Sequence, residues 1–147
     1  MEGYNFGEVA MNISVIDASN YFKGLLLLIR KDRKITEPEI QLMKRIGKCL
    51  HFDPEFCNTA IDEILENRFI VDVPPEFSSR ELAVKFIKDG LAIALVDNHL
   101  HPAEKEWLRA TAEKNGLDEI WFGQELDNAV NRSQLPARME VDDLNVL

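Results

Sequence analysis

The strongest constraint on the fold is an internal repeat with an offset of 65 residues. Residues of the same chemical kind coincide at this offset without a gap, in the pairs Asp32 and Asp97, Ile35 and Leu100, Glu39 and Glu104, Leu42 and Trp107, Met43 and Leu108, Lys44 and Arg109, Phe52 and Leu117, Asp53 and Asp118, Phe56 and Trp121, and Ile61 and Leu126. A unit of this size cannot bury its apolar face alone. We therefore expect the two copies, residues 20–66 and 85–131, to pack together as one domain over residues 1–131.

Each copy divides into three predicted helices, because apolar residues recur at helical spacing between capping signals. In the first copy, a helix is expected from residue 17 or 19 to residue 31. A second helix begins at Thr36, where the hydroxyl of Thr36 and the carboxylate of Glu39 suit a capping box. A third helix begins at Asp53, because Pro54 follows this capping side chain at the first helical position.

The second copy repeats this arrangement. Ser78 or Ser79 begins a long helix to about residue 96, His101 precedes the next helix, and Asp118 precedes the last one. The diproline at residues 74–75 marks the connector between the copies, with a short extended stretch expected at residues 69–73. The sequence thus predicts an all-α bundle of six to seven helices, built from two pseudo-repeated three-helix units.

The acidic tail, residues 132–147, is predicted to be either frayed or docked through Leu144, Val146 and Leu147. Cys49 and Cys57 are expected to be reduced core residues, which fits a cytoplasmic protein. The sequence shows no signal peptide, and its apolar runs are too short to span a bilayer.

The chain carries a formal net charge of −9, so we expect no general nucleic-acid binding. The charge is uneven, because residues 23–48 contain eight basic and three acidic residues. This basic face is either an ordinary solvated helix surface or a docking face for an acidic partner or headgroup. The candidate partner-binding residues are Arg30, Lys31, Arg33, Lys34, Lys44 and Arg45.

An acidic pattern occurs once in each copy, where an Asp ends one helix and a Glu lies in the first turn of the next. The candidate ligands for a divalent cation (Ca²⁺, Mg²⁺ or Mn²⁺) are Asp32 and Glu39 in the first copy and Asp97 and Glu104 in the second. The alternative is that the glutamates are helix caps. A zinc site using His99 and His101 is a further alternative.

The same residues resemble the motif of a known family. The first copy contains DRKITEPE at residues 32–39, followed by Met43, and the second contains DNHL at residues 97–100 with Glu104. This pattern resembles the TerB-like domains, the tellurite-resistance protein B family, which has relatives at the N-terminus of membrane-anchored J-domain co-chaperones. The resemblance covers residues 21–130.

The resemblance implies an all-helical domain without enzyme activity, linked to stress and tellurite resistance, whose acidic residues bind metal. The residues that it implies for the metal are Asp32, Glu39, Asp97 and Glu104. The family has a glycine where this chain has Arg33 and Asn98, and glycine is the residue that favours a sharp turn.

Three functions follow as hypotheses. The first is a non-enzymatic interaction module of a bacterial stress or tellurite-resistance type response, with a protein partner or a second copy of the chain as a homodimer. The second is a divalent-cation sensor or buffer that uses the doubled carboxylates. The third is an enzyme, although the sequence shows no catalytic constellation and no phosphate-binding glycine loop.

Overall fold

The computed structural model describes residues 10–31, 35–67, 70, 72–96, 99–132 and 138–147. Six α-helices make up most of the described chain, which confirms the predicted all-α fold. They are α1 (Val15–Arg30), α2 (Glu37–Cys49), α3 (Pro54–Glu66), α4 (Arg80–Ala94), α5 (Pro102–Lys114) and α6 (Glu119–Asn131). None of the helices in these residues is both long enough and apolar enough to cross a membrane.

Short polar side chains fix where the helices begin. The Oγ of Ser14 accepts a hydrogen bond from the backbone N–H of Asp17 at 3.0 Å, and Ser79 caps α4 in the same way through Leu82 at 3.2 Å. The carboxylate of Asp53 accepts a hydrogen bond from the backbone N–H of Glu55 at 2.7 Å. These caps satisfy N–H groups that have no partner inside the helix. The cap at Ser14 makes α1 begin earlier than the sequence predicts.

The helix boundaries follow the offset found in the sequence. The first residues of α1 and α4, of α2 and α5, and of α3 and α6 each lie 65 positions apart. The last residues lie 65 positions apart in two pairs and 64 in the pair of α1 and α4. We call α1–α3 the first unit and α4–α6 the second unit. In each unit the three helices contact one another.

The core lies around α1 and α4, which pack against each other and against helices of both units. The run of residues 25–29 in α1 and the run of residues 91–94 in α4 are buried. Edge-to-face contact between Tyr21 and Phe86, with ring centroids 5.3 Å apart, joins the two helices. A Cβ atom on Gly24 would lie 2.9 Å from the Phe86 ring, so this glycine allows the close approach.

The chain ends form a small parallel ribbon that the sequence does not predict. Strand β1 (Met11–Ile13) pairs with strand β2 (Leu144–Val146). A 3-10 turn (Glu140–Asp143) precedes β2 and contacts α2 and α4. We call residues 138–147 the C-terminal segment.

The C-terminal segment is docked mainly by residues other than the predicted Leu144, Val146 and Leu147. Met139 and Val141 are buried, together with the expected Leu144. Val146 is half-buried. The side chain of Leu147 is 75% exposed, so the expectation that it docks the tail is wrong, although the backbone N–H of Leu147 donates to the carbonyl oxygen of Ile13 at 3.0 Å. In the connector, residues 68, 69 and 71 lie outside the described residues, and the extended stretch expected there stays a prediction.

Gly47 in α2 offers a direct test of the packing inside the first unit. A Cβ atom at this position would lie 2.3 Å from the Sγ of Cys57 in α3. We expect Gly47→Ala to destabilise the protein by about 1–3 kcal/mol, because the helices must separate to admit the methyl group. Urea unfolding measures the change.

Gly123 in α6 is the matched control, because nothing lies within 4 Å of a Cβ atom added there. Gly123→Ala is expected to stabilise the protein by about 0.5–1 kcal/mol through helix propensity. Equal effects of the two substitutions would contradict the close packing of α2 on α3.

Candidate functional site

The two glutamates predicted as metal ligands both act as helix caps. Glu39 is 2% exposed, and its Oε1 accepts hydrogen bonds from the N–H of Thr36 at 2.9 Å and from the hydroxyl of Thr36 at 3.0 Å. Glu104 is 1% exposed, and its Oε1 accepts from the N–H of His101 at 3.1 Å. The capping boxes supply a structural reason for both carboxylates.

The aspartates of the acidic pattern, Asp32 and Asp97, lie outside the described residues. Within the described part of the chain, no three His, Cys, Asp or Glu side chains are grouped so that they could hold a metal ion. The cation site therefore stays a prediction. A rise in melting temperature with Ca²⁺, Mg²⁺ or Mn²⁺, lost in a Glu39→Gln/Glu104→Gln variant, would establish it.

His101, which the zinc hypothesis needs, is the N-cap of α5. Its Nδ1 accepts a hydrogen bond from the N–H of Ala103 at 3.0 Å. His99, the second histidine of this hypothesis, is exposed. The position of His101 is explained by capping, and the zinc site stays a prediction.

The predicted basic face is divided by internal contacts. Arg30 donates hydrogen bonds to the carbonyl oxygens of Asn67 at 3.2 Å and Ile70 at 3.4 Å, so it fastens the connector to α1. Lys31 forms an ion pair with Asp72. These two cations hold the chain's own connector, and a partner would have to displace it to reach them.

Arg45 is also engaged within the fold. Its guanidinium lies 2.7 Å from a carboxylate oxygen of Asp142 in the C-terminal segment. Arg33 and Lys34 lie outside the described residues. Lys44 is exposed and forms no ion pair with the described residues. It differs in this from Arg30, Lys31 and Arg45, the other predicted partner-binding residues that the structure describes.

Lys44 shares a cavity with two further basic side chains that the prediction did not name. Lys44, Lys48 and His51 line a cavity of about 740 Å³ between the end of α2 and the start of α3. The backbone of His51 has a φ angle of 63°, so the chain turns sharply there. The sequence signal for this cluster is the four-residue spacing of Lys44 and Lys48, because residues four positions apart share one face of a helix. We call this the basic cavity.

An apolar groove of about 300 Å³ runs along α1 and α3 beside the basic cavity. Phe52 lines both the groove and the basic cavity, so the two are adjacent. Phe56, at the same end, is 53% exposed. The groove is lined by Ser19, Phe22, Lys23, Leu26, Phe52, Phe56, Thr59, Ala60, Glu63, Ile64 and Ile70. We call the groove and the basic cavity together the docking surface.

A second polar feature, the buried carboxylate of Asp89, holds the C-terminal segment. Asp89 is 2% exposed and accepts a hydrogen bond from the hydroxyl of Tyr21 at 2.7 Å. It also accepts from the backbone N–H groups of Glu140 at 2.8 Å and Val141 at 2.9 Å. Asp89 therefore joins α1, α4 and the C-terminal segment at one point.

Burial disfavours the charge of Asp89 more than its hydrogen bonds favour it. Desolvation raises the pKa of Asp89 to about 7, although the hydrogen bonds from Tyr21 and from the segment lower it. Burial, and then the Asp89 carboxylate, raise the pKa of the Tyr21 hydroxyl, so Tyr21 remains a donor at neutral pH. The sequence offered no signal for this cluster, because its members are far apart in the chain.

Comparison with known proteins adds no assignment, since no family model, no curated protein and no solved structure matches this chain.

The raised pKa of Asp89 predicts how stability depends on pH. The folded state holds a proton at this site up to about pH 7, whereas an exposed carboxyl releases it near pH 4. Asp89 should therefore make the folded state less stable as pH rises through this interval. Relative to Asp89→Asn, the wild-type unfolding free energy should fall by about 2–3 kcal/mol between pH 5 and pH 8.

Urea unfolding of both proteins at four pH values measures this difference. Carboxyl groups that do not interact with Asp89 behave alike in the two proteins, so they cancel in the comparison. A difference that stays constant between pH 5 and pH 8 would contradict a protonated Asp89.

Proposed function

We propose that this protein is a non-catalytic interaction module that binds an acidic protein partner at the docking surface. The observation that supports the proposal is that some basic residues form contacts within the fold, whereas others do not. Arg30, Lys31 and Arg45 are engaged within the fold, whereas Lys44 and Lys48 remain available beside an apolar groove. An apolar centre with a charged rim is the usual composition of a protein interface.

The charge distribution favours an acidic partner. The whole chain carries a net charge of −9, yet the docking surface carries three lysines, Lys23, Lys44 and Lys48, against two carboxylates, Asp53 and Glu63. A local basic patch on an acidic protein steers an acidic partner to that patch and repels it elsewhere. Binding at this surface should therefore weaken as the salt concentration rises.

The arrangement of the described polar side chains supports a binding role over catalysis. The carboxylates of Glu39, Asp89 and Glu104 accept hydrogen bonds from the protein's own backbone or hydroxyl groups. His51 lies in a loop, His99 is exposed, and His101 is a helix cap. A general acid or base needs to reach a substrate directly, which the three buried carboxylates and the capping His101 are not arranged to do.

The biological setting that we propose comes from the resemblance of residues 32–39 and 97–100 to the TerB-like motif. It would place the module in a bacterial stress or tellurite-resistance type response in the cytoplasm. A homodimer formed through the same surface is the competing assembly.

Site-specific photo-crosslinking in the cells that contain the protein tests this function. A photoreactive benzophenone amino acid replaces Phe56, which is 53% exposed in the docking surface. The matched control carries the same amino acid in place of Ile120, which is 70% exposed on α6. We expect a dominant adduct from position 56 only, since interface contacts orient the partner there.

Three further observations make the crosslinking result decisive. Mass spectrometry should place the crosslink in an acidic segment of one protein. The adduct should be lost in a Lys44→Glu/Lys48→Glu variant, because reversing both charges repels an acidic partner. Adducts of equal yield and identity from positions 56 and 120 would contradict the proposed function.

A further inference from the structure

The two units differ at one pair of positions that faces the groove. Lys23 on α1 and Lys88 on α4 are equivalent at the 65-residue offset, as are Ala60 on α3 and Glu125 on α6. In the second unit, Lys88 pairs with Glu125 at 3.7 Å and so connects α4 to α6. In the first unit, the side chain at position 60 is a methyl group, and Lys23 forms no ion pair with the described residues.

The aromatic residue beside this pair also differs between the two units in how far it is exposed. Trp121 of the second unit is half-buried and packs against the core. Its equivalent in the first unit, Phe56, is 53% exposed at the mouth of the groove. The second unit therefore supplies its own carboxylate and packs its aromatic residue on the core, whereas the groove of the first unit has a cation at its edge and an exposed Phe56 at its mouth.

The walls of the groove suit a helix. Phe22 contacts Phe52, just before α3, with ring centroids 5.5 Å apart, and Arg30 at the end of α1 donates to Asn67 just after α3. The two helices therefore run in the same direction. Their groove-lining residues, 19–26 and 56–64, extend about 10–12 Å along the helix axes, or about two turns of a third helix. Grooves between helices commonly receive an amphipathic helix of a partner.

We propose that the groove receives an amphipathic helix of the acidic partner, with a carboxylate that pairs with Lys23 as Glu125 pairs with Lys88. This inference rests on the proposed function and specifies the form of the partner. The apolar face of the helix lies between α1 and α3 beside Phe56, and its acidic side faces Lys23.

The charges around the groove also set the arrangement of charge along the bound helix. Lys44 and Lys48 lie at the Phe52 end, whereas Glu63 lies near Ile64 toward the opposite end. Asp53 at the Phe52 end is used as the cap of α3. Acidic residues of the partner therefore belong in the middle and at the Phe52 end, and not beside Glu63.

The test uses three synthetic amphipathic peptides that share one apolar face. Their polar residues are glutamate in the first, glutamine in the second and lysine in the third. Each is titrated into the full-length protein with labelled methyl groups, and chemical shifts are followed by NMR. We expect the acidic peptide to bind most tightly and the basic one least. The shifts should occur at Leu26 and Ile64, and not at their equivalents in the second unit.

Three variants separate the role of Lys23 from general electrostatics. Lys23→Glu should weaken binding of the acidic peptide by about tenfold, because attraction becomes repulsion. Lys105→Glu, an equal charge reversal at an exposed position on α5, should have little effect. Ala60→Glu should form the pair seen in the second unit, and should abolish peptide binding without lowering the melting temperature.

The remaining outcomes are also informative. If the neutral or basic peptide binds the groove as tightly as the acidic one, or if no peptide shifts the groove methyl groups, the inference is wrong. The proposed function is judged separately by the crosslinking at position 56. Shifts that depend on protein concentration without peptide would identify a second copy as the occupant and would overturn the acidic partner.

Discussion

The close packing of α1 on α4 is the constraint on which the rest of the structure depends. Both helices carry apolar runs, at residues 25–29 and 91–94, that are buried within the bundle. Neither three-helix unit can enclose such a helix alone, so the units must share one core. Because α1 and α4 are held at the centre, α3 and α6 lie at the outside, where the two units are able to differ.

The two units differ at equivalent positions on these helices, and the proposed binding surface lies where they differ. An ion pair that crosses the second unit, from Lys88 to Glu125, has no counterpart at Lys23 and Ala60 in the first. A repeated fold thus keeps its helix boundaries while one copy exposes an apolar groove. The C-terminal segment is fastened elsewhere, on α4 through Asp89 and on α2 through Arg45, and does not line this groove.

Local chemistry made much of the fold predictable. The caps at Thr36, Asp53 and His101 depend on neighbouring residues, so the sequence placed three helix starts correctly. Which cations form contacts within the fold was not predictable, because these contacts depend on residues distant in the chain. Arg45, for example, is engaged by Asp142, a contact between residues 97 positions apart. The buried cluster at Asp89 escaped prediction for the same reason.

The difference between the two units is an open apolar groove in the first and a bridge from Lys88 to Glu125 at the equivalent place in the second. A titration of the methyl-labelled protein with a small apolar probe, such as p-cresol, tests it without any knowledge of the partner. We expect shifts at Leu26 and Ile64, which line the groove, and none at Leu91 and Ala129, which are their equivalents. Equal shifts in both units, or shifts confined to the second, would contradict it.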